Sequence, residues 1–107
     1  MKKSINNRIQ SYIKNEGLFF KKHALEKLLE RSIRIDDIIS TLENGEIIKE
    51  YQKDEPLPSY LMLGYTTTRE PIHVVMALDD QQRKIWVITV YKPDKDLWDS
   101  NFKRRIK

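Results

Sequence analysis

Apolar residues recur along the first part of the chain at helical spacing. Ser4 to Asn15 carries Ile5, Ile9, Tyr12 and Ile13 at offsets 0, 4, 7 and 8, one narrow stripe, with Ser4 placed to cap the start and Gly17 just past the end. Lys21 to Arg31 reads as a second helix, with Leu25, Leu28 and Leu29 as its buried stripe and His23, Lys27 and Glu30 on the opposite side, Arg31 at the edge. A third helix is predicted from Ile35 to about Asn44, with Ile35, Ile38, Ile39 and Leu42 facing inward, Asp36 and Asp37 at its positive end and Gly45 stopping it.

The period then changes. Glu46 to Gln52, Ser59 to Tyr65, Ile72 to Leu78 and Ile85 to Tyr91 are rich in β-branched and aromatic residues and are separated by breaks such as DEPLP and TTTREP. Helices first and strands after predict an α+β domain, its helices on one side of an antiparallel meander of about four strands. Asp96 to Arg105 reads as a short C-terminal helix anchored by Trp98 and Phe102, and both tryptophans read as packing residues.

Strand parity sharpens the picture. Ile72, Val74, Met76 and Leu78 share one face of their strand, and His73, Val75 and Ala77 the other; in the next strand Trp86, Ile88 and Val90 oppose Ile85, Val87, Thr89 and Tyr91. Pairing like with like gives one apolar face for the helices and leaves His73, Thr89 and Tyr91 together on the opposite face. That pairing needs an odd loop between the strands, such as Asp80 to Lys84.

The chain has 107 residues, enough for one domain with a single core, and neither repeats nor low-complexity stretches divide it. No apolar run approaches the roughly 20 residues that span a bilayer, and the N-terminus lacks a signal-peptide pattern, so a cytoplasmic protein without membrane contact is expected. The absence of cysteine excludes a disulfide scaffold, a thiol nucleophile and Cys-zinc or iron-sulfur sites; two histidines make an imidazole-built metal site a poor expectation.

The net charge of +4 is unevenly spread. Residues 1–34 hold nine Lys/Arg against three Asp/Glu, residues 35–102 hold seven against thirteen, and the last five are KRRIK. If both basic ends flank one surface, that surface suits a polyanion such as RNA.

Walker, HExxH, GxSxG and CxxC motifs are all missing. The polar groups that remain suit proton transfer beside a phosphate: a base for the 2′-hydroxyl, an acid for the leaving oxygen and a cation for the phosphorane charge. His23 reads as such a base or as an exposed helix residue. His73 reads as its partner acid or as a hydrogen-bonded core histidine, and Arg31 as a phosphate clamp or a charge stabilising its helix dipole.

Five ordered blocks carry a resemblance: HALEKLLERSI (23–33), DDIISTLENGEIIKEY (36–51), PSYLMLGY (58–65), PIHVVMAL (71–78) and VITVYKPDKDLW (87–98) resemble the bacterial domain-of-unknown-function 4258 family. The resemblance spans residues 20 to about 105 and leaves residues 1–19, with the first helix, outside the single domain at 20–107. It implies the barnase–EndoU–colicin–RelE fold and, through relatives of the family, a RelE-like endoribonuclease toxin of a toxin–antitoxin pair, working without metal or cofactor.

On that implication His23 and His73 share the base and acid roles, Arg31 stabilises the phosphorane, Tyr91 and Thr89 orient the phosphate, and Lys27, Lys103, Arg104 and Arg105 bind the RNA backbone. An acidic antitoxin covering the basic face is the implied partner. Lys27 stands where the family often has Arg, and Ser32 and Arg34 stand where its turn often has Gly and a capping Ser or Thr. The rival expectation is a non-catalytic RNA- or protein-binding module of the same fold; a third is a structural protein that dimerises through the Ile5, Ile9, Ile13 stripe.

Overall fold

A computed structural model describes residues 4–107; residues 1–3, the start of the segment expected to stand outside the domain, lie outside the described residues. The elements run α1 (Ile5–Lys14), β1 (Leu18–Phe20), α2 (Lys22–Glu30), α3 (Ile35–Asn44), β2 (Glu46–Tyr51), β3 (Ser59–Tyr65), β4 (Pro71–Asp79) and β5 (Lys84–Tyr91). The strands form one open sheet in the order β1-β5-β4-β3-β2. The α+β layout is therefore as expected, but the sheet has a fifth strand and is mixed: β1 pairs in parallel with β5, Leu18 opposite Ile85 and Phe20 opposite Val87.

The three-residue strand escaped the sequence reading because it is too short to show a period. It is held instead by tertiary contacts. Gly17 lies so close to the β4–β5 turn that an added Cβ would stand 2.3 Å from the Arg83 carbonyl oxygen, and its own carbonyl accepts a 2.7 Å hydrogen bond from Ile85 N–H.

All three helices pack on one face of the sheet. Ile9 and Tyr12 of α1, Ala24 and Leu28 of α2 and Ile38 and Leu42 of α3 bury against Met62, Ile72, Val74, Met76, Leu78, Ile85, Val87 and Val90. The stripe of α1 is thus spent within the chain: Ile9 is fully buried and Ile5 and Ile13 pack against the core, which removes the surface proposed for a dimer. Ser4 caps α1 as expected, its hydroxyl accepting from Asn7 N–H at 3.2 Å.

Helix α2 is rotated from its expected orientation. Ala24 and Leu28, not Leu25 and Leu29, face the core; Leu29 is 77% exposed. A small alanine lets the helix approach the sheet closely, and that approach selects the buried face over the most apolar one. Ile35 of α3 is likewise exposed. At the end of α2, Ser32 adopts a left-handed φ of 55°, a conformation that favours glycine, and Ile33 N–H closes the turn on the Leu28 carbonyl at 2.9 Å.

The β4–β5 register puts His73 opposite Tyr91 and Val75 opposite Thr89, so these side chains share the face away from the helices, as the parity argument expects. The route differs. Asp79 pairs with Lys84 across a turn of four residues, and a β-bulge on β5 between Val87 and Thr89 supplies the extra residue that restores parity. The even turn reverses the expected facing of the first half of β5: Ile85 and Val87, expected beside Thr89 and Tyr91, enter the core, while Trp86, expected on the apolar face, lies opposite Ala77 on the other.

The expected C-terminal helix is absent. Residues 92–107 form turns with a single bridge between Trp98 and Arg105. Aspartates draw the backbone into these turns: Asp94 Oδ1 accepts from Asp96 N–H at 2.8 Å, and Asp99 Oδ1 accepts from Asn101 and Lys103 N–H at 3.2 and 3.0 Å. Those backbone hydrogen bonds, more than anything else, hold the Asp99 carboxyl below its usual pKa.

Candidate nucleic-acid interface

The C-terminal segment lies over the sheet face that carries His73. The imidazole is fully buried. Its Nε2 stands 2.7 Å from the Phe102 carbonyl oxygen, which can only accept, so Nε2 carries the proton and Nδ1 accepts from the Tyr91 hydroxyl at 3.1 Å. Trp98 packs edge-on against the ring, centroids 4.5 Å apart. Burial lowers the His73 pKa, with the Phe102 hydrogen bond opposing in part, so the ring is held neutral. Burial also raises the Tyr91 pKa, reinforced by Tyr51 and opposed by Arg105.

His23 and Arg31 sit elsewhere. Helix α2 runs beside the part of β5 that β1 leaves unpaired, and from there the exposed His23 Nε2 meets Thr89 Oγ1 at 3.0 Å. Arg31 Nη1 donates to the Val90 carbonyl at 3.4 Å, and Lys27 is paired with Glu30 on its own helix at 3.2 Å. The expected catalytic set therefore divides in two: His23, Thr89 and Arg31 at the α2–β5 edge, and His73 with Tyr91 beneath the C-terminal segment. No hydrogen bond joins the two imidazoles, and His73 has neither an open nitrogen nor contact with solvent.

A groove of about 820 Å³ runs between β2 and the C-terminal segment on this same face. Leu61 and Tyr91 line it together with Lys49 and Tyr51 from β2 and Trp98, Lys103, Arg104 and Arg105 from the segment. Lys103 reaches across to Glu46 at 3.0 Å; the Lys49 ammonium lies 5.4 Å from the Tyr51 ring centre and the Arg105 guanidinium 5.8 Å from that of Trp98. Two of these cations thus lie against aromatic rings in one cleft, with Glu46 and Asp99 as the opposing charges.

Lys103, Arg104 and Arg105 were legible in sequence as a basic tail. Lys49 and Trp98 were not, because nothing local places a β2 lysine beside a tryptophan some fifty positions on. Among the described residues, no group of three or more His, Asp or Glu is placed to hold a metal ion, and no helix is long and apolar enough to cross a membrane.

A mixed five-stranded α+β domain with its helices on one face and a basic, aromatic groove on the other is the class that fold and site define. The family described as Domain of unknown function (DUF4258) matches residues 20–92, and the chain belongs to it. The matched region ends just past β5, so both α1 and the C-terminal wall of the groove lie beyond it. No curated protein and no solved structure matches the chain.

Proposed function

We propose that this protein binds single-stranded RNA along the groove between β2 and the C-terminal segment. One observation carries the reading: four cationic side chains, Lys49, Lys103, Arg104 and Arg105, line the same cleft as Tyr51, Tyr91 and Trp98. Phosphates gain from the cations by counterion release, and bases gain from stacking on the rings, so such a cleft holds a flexible strand with little sequence preference. An acidic antitoxin-like partner would compete for the same cations.

Fluorescence anisotropy with labelled oligouridylate tests this. Three to four phosphate contacts should give a slope of log K against log salt of about −2 to −3, from about −0.7 per phosphate on a single strand. Arg104→Glu with Arg105→Glu should weaken binding at least about tenfold and flatten that slope by more than about one. Equal affinity in the double variant would refute the groove.

A second reading, a RelE-like endoribonuclease, is favoured by the exposed His23 bonded to Thr89 with Arg31 nearby. In it His23 takes the 2′-hydroxyl proton, the 2′-oxygen attacks phosphorus with Arg31 neutralising the phosphorane, and the P–O5′ bond breaks as the leaving oxygen takes a proton from water; the sealed His73 transfers no proton. In excess chelator, RNA ends bearing 2′,3′-cyclic phosphate should form with wild type and with His73→Phe, and vanish with His23→Ala. Intact RNA in all three leaves binding alone as the function.

A further inference from the structure

The four-residue β4–β5 turn leaves an aromatic pair on the outer face that neither the core nor the groove uses. Phe19 and Trp86 face each other across the parallel β1–β5 pairing, ring centroids 5.2 Å apart and planes 34° apart. Leu18 and Phe20 pack towards the core, so Phe19 points away from it and is 37% exposed. The Lys21 ammonium lies 4.5 Å from the Trp86 ring centre and the Lys84 ammonium 4.9 Å from that of Phe19.

We propose that Phe19 and Trp86, flanked by Lys21 and Lys84, form a base-stacking platform for single-stranded RNA whose neighbouring nucleotides occupy the groove. The proposal rests on the groove reading and extends it along β5. A tilted ring pair offers its outer ring face to any base, since every base has a π-face. The two lysines hold their charge on flexible stems, so an arriving base displaces a stem from the ring and the ammonium moves to the adjoining phosphate.

The path between the two places is short. Tyr91 lines the groove, and Trp86 lies five residues back on the same strand, roughly 16 Å at about 3.3 Å per residue. Thr89, hydrogen-bonded by His23, stands between them on that face. Tyr91, Thr89 with His23, and Trp86 with Phe19 thus form one track along β5, and a strand of about ten nucleotides, within the usual footprint of single-strand binding folds, covers it together with the groove. Charge complementarity favours a polyanion over an apolar partner, and the partly exposed ring pair favours nucleic acid over an acidic peptide, which has no flat π-surface to offer.

Fluorine NMR of protein carrying 5-fluorotryptophan tests the platform, because the chain has only two tryptophans and Trp86→Phe assigns their resonances. Adding oligouridylate of about ten nucleotides should shift the Trp86 resonance with the same midpoint as anisotropy. Trp86→Ala and, separately, Lys21→Glu with Lys84→Glu should each weaken that oligomer about tenfold and leave a three-nucleotide oligomer, confined to the groove, unchanged. Circular dichroism and a melt check that each variant is folded.

An unmoved Trp86 resonance at saturating RNA, or full affinity in both sets of variants, would overturn the platform. So would an equal shift with polyglutamate. If Arg104→Glu with Arg105→Glu abolishes binding while the platform variants do not, the groove stands and the platform fails; the reverse pattern keeps the platform and removes the groove.

Discussion

Replacing His73 by alanine is expected to destabilise the protein by about 3–5 kcal/mol, the range for emptying a buried aromatic-sized site, and to lower Tm by about 10–20 °C. The ring is fully buried, packs against Trp98, and latches the C-terminal segment through the Phe102 carbonyl. Truncation leaves a void and strips that carbonyl and the Tyr91 hydroxyl of their partner. Thermal melts with Trp98 emission as a second probe, read in a Trp86→Phe background, check both consequences: lost stability and a segment released from the sheet. A loss under about 1 kcal/mol would show that the segment does not depend on this latch.

The same residue sets a pH dependence. Its folded pKa lies below the ordinary 6.5, so the unfolded chain binds the proton more readily. The stability this group contributes is complete above about pH 6.5 and is lost as pH falls through the folded pKa. Protonation also puts a hydrogen on Nδ1, which must then stop accepting from Tyr91. His73→Phe keeps most of the volume and removes the titration, so wild type should lose more stability than this variant between pH 8 and 5. Parallel slopes would contradict the burial argument.

Gly64→Ala is the second large effect, expected at about 3 kcal/mol or more. Gly64 pairs with Ile72 near the end of β3 beneath α3, and a Cβ there would stand 2.0 Å from Thr41 Oγ1 and 2.6 Å from Thr41 Cβ. Rotating Thr41 moves its hydroxyl and methyl but not its Cβ, so the helix itself must shift. Thr41 is buried and its hydroxyl bonds the Asp37 carbonyl at 2.9 Å, which ties the shift to the first turn of α3. Thr41→Gly removes the three atoms nearest the added Cβ at a helix-propensity cost of about 1 kcal/mol. Denaturant melts of the two single variants and the double should therefore show a coupling of at least about 1 kcal/mol, with the double variant more stable than Gly64→Ala alone. Additive losses would mean that α3 does not seat on β3 at this point.

Local pattern carried the helices and the four longer strands, because each is long enough for a helical repeat or a run of β-branched and aromatic residues to show. It also placed His73, Thr89 and Tyr91 on one side of the sheet, since alternation within a strand is local. The DUF4258 family was legible from ordered blocks of residues, and most of the groove's cations from the basic tail.

What local pattern could not supply was decided by tertiary packing. β1 exists because β5 offers it an edge. Ala24 rather than Leu25 or Leu29 faces the core because close approach outweighs the apolar area of one helix face considered alone. The C-terminal residues form turns because aspartate side chains outcompete the helix for their backbone N–H groups. A four-residue turn faces Trp86 outward and a one-residue bulge brings Thr89 and Tyr91 to the same face, and the segment that follows β5 seals His73 and walls the groove. Each of these depends on groups far apart in the chain, so their energies belong to the folded whole and leave no periodic mark in the sequence.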